Sequence, residues 1–450
     1  MLKRKIEDQL LKWKSQKDKK PLVIKGVRQC GKSYIVSKFA EENYKYVVKC
    51  DFFRNPELNQ AFEGSLDPDT IIMMLSVMMG DQATFVPHET IIIFDEIQEC
   101  PEARTSLKFF REDGRFDVVC TGFLLGVSGY GDVYDEESRR YINKTPRSIP
   151  VGNEEIIDMY PLDFEEFLWA NGIKDNVIQV LKECLEKELP VPSAIHNRMN
   201  ELMRYYLVVG GMPEVVNKFV ETKQMNEVLK LQRTIVNEYR DDMVKYAAKL
   251  DKSRIRQAFD SIPKQLSKEY KKFQYSKVKH GGRANEYEGS LQWIEDAGII
   301  TRSYNLSITE LPLEGNKIDE EFKVFMNDSG LLTSMFEDGT QLSILKGDLY
   351  TYKGALYENL VTSFFTKMPK EVYYFKKDTL EVDHIIRYKS KVTIVETKAG
   401  KGSTYSTNMI LEQYDKYHVD QAIKLGDYNV GRVGNKLTLP TYMGFLLKES

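Results

Sequence analysis

The segment from Gly26 to Ser33 constrains the fold of this chain more than any other. It reads GVRQCGKS, the pattern GxxxxGKS, and it lies between the short apolar run Leu22 to Lys25 and a helical pattern that continues to about Asn43. In such a strand–loop–helix context, glycines let backbone N–H groups turn around phosphates at the helix N-terminus. The segment therefore predicts a phosphate-binding loop in a parallel α/β sheet.

The loop also supplies the side chains that a bound nucleotide needs. We expect Lys32 to reach the β- and γ-phosphates and the hydroxyl of Ser33 to ligate Mg²⁺. The residues expected to surround the nucleotide are Gly26, Arg28, Gln29, Cys30, Gly31, Lys32, Ser33 and Tyr34. The alternative is a chance glycine loop, which the matching strand and helix on either side disfavour.

A second apolar strand, Ile91 to Asp95, ends in a pair of acids, Asp95 and Glu96. We expect Asp95 to hold Mg²⁺ through water and Glu96 to polarise the attacking water as the catalytic residue. A small-molecule kinase or a GTPase would not need the second carboxylate, and no NKxD guanine signature follows. The pair therefore favours hydrolysis of ATP.

The next strand, Asp117 to Thr121, ends in a hydroxyl group. Thr121 is our candidate for a side chain that senses the γ-phosphate. In the loop beyond it, Arg139, Arg140 and Arg147 could supply a transition-state arginine, either in cis or from a neighbouring subunit of a homo-oligomer. Solvated surface arginines are the alternative interpretation.

The pattern around these motifs predicts several domains, because 450 residues exceed the roughly 100 to 200 of one ordinary domain. Up to about Trp169, short apolar strands alternate with amphipathic helices, as in a parallel sheet. We expect strands at Leu22 to Lys25, Tyr46 to Asp51, Ile91 to Asp95, Asp117 to Thr121 and Glu155 to Tyr160. We place domains at 1–170, 171–250, 251–318 and 319–450, and interpret the polar stretch 309–319 as a linker.

Four segments in order, GVRQCGKS, IIIFDEIQECP, VVCTGF and MYPLDFEEFLWANG, resemble prokaryotic AAA-type ATPases that carry a C-terminal domain of unknown function, DUF4143. The resemblance covers roughly residues 1–170, and GGMP at 210–213 and YRDD at 239–242 extend it. It implies a P-loop AAA+ ATPase domain, a helical connector, a winged-helix-like domain and a DUF4143 domain. The chain departs from the family pattern at Phe123, where relatives usually have small hydroxyl residues, and it lacks a later Gly-Arg pair before YPL.

Near the C-terminus, the runs Leu380 to Ile386 and Val392 to Lys398 predict two strands joined by a short turn. Glu396 and Lys398 are two residues apart and so face the same side, and a near-symmetric hairpin brings Asp383 close to Glu396. Two such carboxylates can hold Mg²⁺, while a neighbouring lysine can orient or deprotonate a water molecule for phosphodiester attack.

This order of residues resembles the restriction-endonuclease-like PD-(D/E)xK nucleases. The resemblance implies that the segment 354–361 is the first helix of that fold and that Glu358 is an accessory acid, which would make Glu358, Asp383 and Glu396 metal ligands and Asp383, Glu396 and Lys398 catalytic. The alternative is a degenerate nuclease fold that only binds a partner.

One segment of the chain is strongly basic, although the chain as a whole carries a net charge of -3. This basic segment, residues 264–283, contains seven lysines and arginines but only one acid. Tyr270, Phe273 and Tyr275 lie between the basic residues. With the helical segment 285–297 and the strand that follows, this region resembles a winged helix, which would make a nucleic acid, most simply DNA, the partner. A solvated lysine-rich helix face is the alternative.

Five cysteines without CxxC spacing argue against a disulfide framework and a zinc cluster, and no secretory signal or membrane-spanning run is evident. We expect a cytoplasmic protein with no membrane contact, using ATP and Mg²⁺. The leading hypothesis is an ATPase whose nucleotide state controls a Mg²⁺-dependent, nucleic-acid-directed nuclease. The alternative is a nucleotide-gated interaction protein whose nuclease-like domain is inactive.

Overall fold

The computed structural model describes residues 2–123, 132–135, 140–143, 152–246, 252–267, 272–347, 353–368, 370–398 and 405–448, with 132–135, 140–143, 245–246 and 353 described by their backbone alone. The chain divides into two compact units. Residues 4–160, with 296–298, form the N-terminal unit, and residues 1–3, 161–295 and 299–450 form the C-terminal unit.

The N-terminal unit alternates helices with strands. Its helices are α1 (Ile6–Lys14), α2 (Lys32–Asn43), α3 (Pro68–Met79) and α4 (Pro101–Asp113). Its strands are β1 (Leu22–Lys25), β2 (Tyr46–Asp51), β3 (Thr90–Asp95), β4 (Asp117–Gly122), β5 (Asp132–Asp135), β6 (Arg140–Asn143) and β7 (Glu155–Asp158).

Five of these strands form one parallel sheet in the order β2-β3-β4-β1-β7. The α/β fold with a parallel sheet that the sequence predicts is therefore confirmed, and each predicted strand overlaps an observed one. Strand β1 lies between β4 and β7, so the loop that follows it opens at the carboxyl edge of the sheet near the ends of β3 and β4. This edge is where open parallel sheets bind ligands.

Helices packed against the sheet hold its strands in place. Every residue of β3 is buried, as expected of a strand with both faces covered. On one face, Ile92 and Phe94 pack in a single cluster with Leu75 of α3 and Phe110 of α4. This packing fixes the end of β3, where Asp95 is the last residue of the strand and Glu96 follows it.

The C-terminal unit contains the remaining elements. Its helices are α5 (Phe164–Ala170), α6 (Asp175–Glu186), α7 (Ser193–Val209), α8 (Pro213–Thr222), α9 (Met225–Tyr246), α10 (Lys252–Leu266), α11 (Tyr275–Val278), α12 (Ala284–Asp296), α13 (Ser329–Ser334), α14 (Thr340–Lys346), α15 (Lys353–Lys367), α16 (Tyr405–Glu412) and α17 (Tyr414–Tyr417). Its strands are β8 (Ile300–Leu306), β9 (Lys317–Met326), β10 (Tyr373–Lys377), β11 (Leu380–Tyr388), β12 (Lys391–Lys398), β13 (Gln421–Gly426), β14 (Gly431–Val433) and β15 (Lys436–Pro440).

These strands form one mixed sheet of eight in the order β14-β15-β13-β12-β11-β10-β8-β9. Strands β10, β11 and β12 are antiparallel neighbours, whereas β12 and β13 are parallel and are connected through α16. Helix α15 precedes β10 in sequence. The hairpin predicted at Leu380 to Lys398 is therefore observed as β11 and β12, in the middle of this sheet.

The stretch 309–319 is not a linker, so that interpretation is wrong. It connects β8 to β9, which pair along their length, and the buried hydroxyl of Thr309 donates a hydrogen bond to the carbonyl oxygen of Tyr417. Strand β8 also pairs with β10. The strand expected to complete a separate winged helix therefore belongs to the same sheet as residues 319–450, and the boundary expected after residue 318 falls inside β9.

The division after residue 160 also differs from the expected boundary at 170. Helix α5 begins at a capping box formed by Asp163 and Glu166. Its Phe164 packs against Tyr206, and against Phe445 with ring centres 5.6 Å apart. These aromatic contacts hold residues 161–167, which are most of the YPLDFEEF segment, in the C-terminal unit.

Candidate functional site

The loop between β1 and α2 has the backbone that its glycines predict. Gly31 has a φ of 96° and precedes the first turn of α2, while Gln29 has a φ of 62°. A Cβ atom on Gly26 would lie 2.1 Å from the carbonyl oxygen of Met159, so only glycine fits there. The loop is therefore both turned inward and closely packed against the end of the sheet.

The side chains of the loop differ in their environment. Lys32 is buried, and its ammonium group donates to the carbonyl oxygens of Gly26 (2.8 Å) and Val27 (2.9 Å). Cys30 is buried, with its sulfur atom 3.4 Å from the carbonyl oxygen of Met159, whereas Tyr34 is exposed. Lys32 thus has its charge on the inner side of the loop, where a phosphate would bind.

The structure brings Ser33 and Asp95 together. The hydroxyl of Ser33 donates to Oδ1 of Asp95 at 2.7 Å, and the buried hydroxyl of Thr121 donates to the same oxygen atom. The hydrogen bond from Thr121 therefore orients the carboxylate of Asp95. The expected role of Thr121 as a γ-phosphate sensor stays a prediction.

Lys49, which sequence reasoning missed, completes the environment of Asp95. Its ammonium nitrogen lies 2.8 Å from Oδ2 of Asp95. Burial opposes ionisation of Asp95, but hydrogen bonds from Lys49, Thr121 and Ser33 outweigh it and hold the pKa of this carboxyl group below its ordinary value. A lysine inside the apolar strand YVVKCD was the one signal in the sequence.

Glu96 has an unusual backbone for an acid. Its φ is 54°, in the left-handed region, and it precedes a single turn of 3-10 helix, Ile97–Glu99. Its backbone N–H lies within 3.4 Å of the hydroxyl of Thr121, and its carboxylate accepts a hydrogen bond from Gln98. Glu96 therefore lies directly after Asp95, where the chain leaves β3, and its role as the catalytic residue stays a prediction.

The donor atoms at this edge fit a cation bound together with a nucleotide. In the described part of the chain, no group of three or more His, Cys, Asp and Glu side chains could hold a metal ion alone. Mg²⁺ is usually bound through one or two protein oxygen atoms, with phosphates and water completing its shell. Ser33 and Asp95 provide such a pair beside Lys32.

The candidate transition-state arginines cannot be placed. Arg139 and Arg147 lie outside the described residues, and Arg140 is described by its backbone alone. Phe123, the departure from the family pattern, is buried at the end of β4, and the guanidinium group of Arg28 lies 4.5 Å from the centre of its ring. Arg28 therefore contacts the end of the sheet from within the loop.

The C-terminal residues Asp383, Glu396 and Lys398 come together on the neighbouring strands β11 and β12. His384 pairs with Val395, so the register carries Asp383 opposite Glu396 on one face of the sheet. Lys398 lies 2.6 Å from a carboxylate oxygen of Glu396, and Asp383 accepts from the backbone N–H of Thr397 at 2.9 Å.

Lys398 is partly buried beside Glu396. Burial lowers its affinity for a proton, but the hydrogen bond and charge of Glu396 outweigh this effect, so the pKa of Lys398 is raised. An ammonium group with a raised pKa stays charged at neutral pH. The two roles expected from the sequence, orienting a water molecule or deprotonating it, both stay predictions.

Glu358 lies in a different environment from the one expected of a free accessory acid. It is buried on α15, and Lys323 of β9, also buried, lies 3.0 Å from its carboxylate and 3.2 Å from that of Glu381. Burial opposes the charge on Lys323, but Glu358, Asp383 and Glu381 outweigh it and raise the pKa of the lysine. Glu358 therefore already has a cationic partner, which the sequence did not indicate.

The basic segment is split between exposed and paired residues. Lys264, Lys277, Lys279 and Arg283 are exposed or partly exposed, whereas Lys272 lies 2.9 Å from Glu321. Lys268, Glu269, Tyr270 and Lys271 lie outside the described residues. Phe273 is buried and stacked on Phe322, so it serves the protein core.

Helix α12 has no lysine or arginine, and its Glu288 and Glu295 bind the buried Arg302. The helix that the resemblance would place against a DNA groove thus exposes acids. Among the described residues, no helix is both long enough and apolar enough to cross a membrane.

Comparisons with known proteins identify part of the chain. A sequence model of the AAA domain family matches residues 18–168, and a model of a domain of unknown function, DUF8612, matches residues 200–342. The second match is not the DUF4143 of the sequence resemblance, and neither match reaches the C-terminal carboxylates. A search of curated protein sequences finds no match.

Solved structures give weaker similarities. The Walker-type ATPase PABY2304 of Pyrococcus abyssi aligns with a TM-score of 0.41 at 13% identity, over 74% of this chain and 96% of that chain. C. elegans PCH-2 aligns with a TM-score of 0.22 at 9% identity, over 50% and 58%. Neither similarity is strong enough to assign a fold or a function.

The family match and the geometry agree for the N-terminal unit. The match spans β1 to β7, and within it Lys32 and Ser33 lie at one edge of a parallel sheet with Asp95 and Glu96. Residues 18–168 of this chain therefore match the AAA domain family in sequence, and the geometry of this match is that of a P-loop nucleotide-binding site.

Proposed function

We propose that this chain binds and hydrolyses ATP with Mg²⁺ at the N-terminal site and uses the reaction to direct its C-terminal unit to nucleic acid. The observation that carries the ATP-hydrolysis part of this proposal is the 2.7 Å hydrogen bond between Ser33 and Asp95, because it joins the phosphate-binding loop to the acid at the end of β3.

Each residue has a role that follows from its position. Lys32 binds the β- and γ-phosphates as it moves from the loop carbonyls that it now contacts. Ser33 and Asp95 would hold Mg²⁺, the latter through water, while Thr121 and Lys49 orient Asp95.

Glu96 accepts a proton from, or polarises, the water molecule that attacks the γ-phosphate. When bound, Mg²⁺ supplies neutralisation of the phosphate charge. The protein supplies positioning and electrostatic stabilisation, which account for most catalysis of phosphoryl transfer.

Two variants separate binding from chemistry. We expect Lys32→Ala to lose ATP binding, and Glu96→Gln to keep ATP binding while losing most turnover. Binding is measured with a fluorescent ATP analogue and turnover by phosphate release, each with and without Mg²⁺. Turnover by Glu96→Gln at the parental rate would exclude Glu96 as the base, and absence of ATP binding by the parent protein would refute the proposal.

A second function, Mg²⁺-dependent cleavage of nucleic acid, is favoured by the arrangement of Asp383, Glu396 and Lys398. Their placement on one face of two adjacent strands supports it, as does the order of elements from α15 to β13. Asp383 and Glu396 are the two carboxylates that we expect to hold a cation, with Glu358, which pairs with Lys323, as the accessory acid. We place DNA first among substrates.

The cleavage hypothesis has a direct test. Asp383→Ala, Glu396→Ala and Lys398→Ala should each abolish cleavage of DNA or RNA, while ATP turnover in the N-terminal unit continues. Cleavage that persists in Glu396→Ala after stringent purification would exclude the site. Nucleic-acid binding without cleavage by the parent protein would instead favour the alternative, a nucleotide-gated interaction protein with an inactive nuclease-like domain.

A further inference from the structure

Gln98 is a buried polar residue that the ATPase motifs do not explain. It lies two residues after Glu96, in the single 3-10 turn Ile97–Glu99, and only 4% of its surface is exposed. A buried amide group costs free energy unless it is hydrogen-bonded, so the contacts of such a group indicate its role.

Both ends of the Gln98 amide have partners at the candidate site. The nitrogen atom donates to the Glu96 carboxylate. The oxygen atom accepts from the backbone N–H of Phe123 at 3.4 Å. These partners fix the orientation of the amide, because a carboxylate accepts hydrogen bonds and a backbone N–H donates one.

Phe123 connects this contact to the phosphate-binding loop. Its ring is buried at the end of β4, and the guanidinium group of Arg28 lies over it, 4.5 Å from the ring centre. A continuous series of contacts thus leads from Arg28 through Phe123 and Gln98 to the carboxylate of Glu96. A change in the loop on binding phosphates can reach Glu96 by this path.

Glu96 needs such a partner because its backbone does not lie in a strand or a helix. Its φ of 54° is a conformation that residues other than glycine rarely adopt, and it occurs where the chain leaves β3. Backbone outliers of this kind cluster at active sites. The direction of the Glu96 side chain is set by the hydrogen bond from Gln98.

We infer that Gln98 is the positioning residue for Glu96: it holds the carboxylate in the orientation that activates water and couples that orientation to the phosphate-binding loop through Phe123 and Arg28. The inference rests on the proposed function, in which Glu96 is the catalytic base. Gln98 itself touches neither nucleotide nor water in this role.

The test is Gln98→Met, which keeps the length and volume of the side chain but cannot make either hydrogen bond. We expect kcat for ATP hydrolysis to fall about 10- to 100-fold, the loss typical of a misplaced catalytic group, with KM and the Kd for a fluorescent ATP analogue changed less than about 3-fold. Gln98→Asn, which keeps an amide group but is shorter, should give an intermediate kcat.

The matched control is Gln341→Met. Gln341 has the same side chain and a similar burial, and it donates to the carbonyl oxygen of Thr333 in the C-terminal unit. The same substitution there should leave kcat unchanged. Thermal unfolding of both variants shows whether a loss of rate reflects lost folded protein, and kcat is expressed per nucleotide-binding site.

A double variant shows whether Gln98 acts through Glu96. In the Glu96→Gln background, adding Gln98→Met should lower the residual rate by less than about 2-fold, because the group that it positions has been removed. An equal loss in both backgrounds, or parental kcat for folded Gln98→Met, overturns the inference while leaving the proposed function intact. Parental turnover by Glu96→Gln, or no turnover by the parent protein, overturns both.

Discussion

At the scale of single residues, the most informative group is the carboxylate of Asp95, which accepts from Ser33, Thr121 and Lys49. The pKa of Asp95 is lower in the folded protein than in the unfolded chain. Its ionised form therefore contributes stability that is fully present above the unfolded pKa of about 4 and is lost as the pH falls through the folded pKa.

Asp95→Asn should consequently lower the free energy of unfolding at pH 7 by about 1 to 3 kcal/mol, because the variant loses charged hydrogen bonds in a buried site. At pH 3 the difference from the parent should be smaller. Urea unfolding at the two pH values measures this. Asp18→Asn, at an exposed acid, should be neutral at both, and an equal loss at both pH values for Asp95→Asn would contradict the argument.

The residues of the ATPase motifs could be predicted from sequence because each lies next to a recognisable strand or helix end. Lys32, Ser33, Asp95 and Glu96 are all of this kind. Lys49 and Gln98 could not be predicted, since their roles depend on which strand lies beside which and on where a single turn directs an amide. Lys49 is aligned with Ile93 across two parallel strands that are distant in sequence.

At the scale of elements, the phosphate-binding loop depends on its close packing against the strand end. Gly26→Ala should displace the loop, since the new Cβ atom would lie 2.1 Å from the Met159 carbonyl oxygen. We expect a loss of about 1 to 3 kcal/mol of stability together with weaker ATP binding. Thermal unfolding and nucleotide titration measure the two effects.

The control for that variant is Gly289→Ala in α12. A Cβ atom there meets nothing within 4 Å, and alanine favours the helix, so this variant should be neutral or stabilised by up to about 1 kcal/mol. Similar losses for both glycines would mean that the effect of Gly26→Ala is not a local clash.

The packing of α15 on the C-terminal sheet depends on a buried ion pair. Lys323→Met should lower the free energy of unfolding by about 3 to 5 kcal/mol, because it removes the buried ammonium group that pairs with the buried carboxylate of Glu358. Adding Glu358→Gln should recover part of that loss, since the buried group is then neutral. Chemical unfolding of the single and double variants measures both, and no recovery would contradict the assigned pairing.

The five strands of the parallel sheet could be predicted because short apolar runs alternate with helical patterns in this part of the chain. Strand β8 was also predicted, but its partners were not. Its pairing with β9 and β10 joins residues that are far apart in the chain, and no local pattern indicates it. The ion pair of Lys323 with Glu358 was missed for the same reason.

At the scale of the whole molecule, the proposal that nucleic acid is a partner depends on where the positively charged side chains lie. The net charge is only -3, so binding must depend on local cations. Lys277 lies in α11 and Lys279 lies directly after it, and both side chains are exposed. Each contact of such a lysine with a phosphate steepens the decrease of affinity with salt, because it releases a counterion.

Lys277→Ala/Lys279→Ala should therefore weaken nucleic-acid binding and flatten the slope of log K against log salt by up to about 2 units. Fluorescence anisotropy with labelled DNA duplex, single-stranded DNA and RNA, between about 50 and 200 mM salt, measures the slope. Lys12→Ala/Lys17→Ala removes the same charge from exposed lysines elsewhere and should leave the slope unchanged. Equal flattening of the slope by both double variants, or no binding of any probe by the parent protein, would make the basic segment a solvated helix face. The nucleic-acid proposal would then fail, whereas the proposal of ATP hydrolysis would be unaffected.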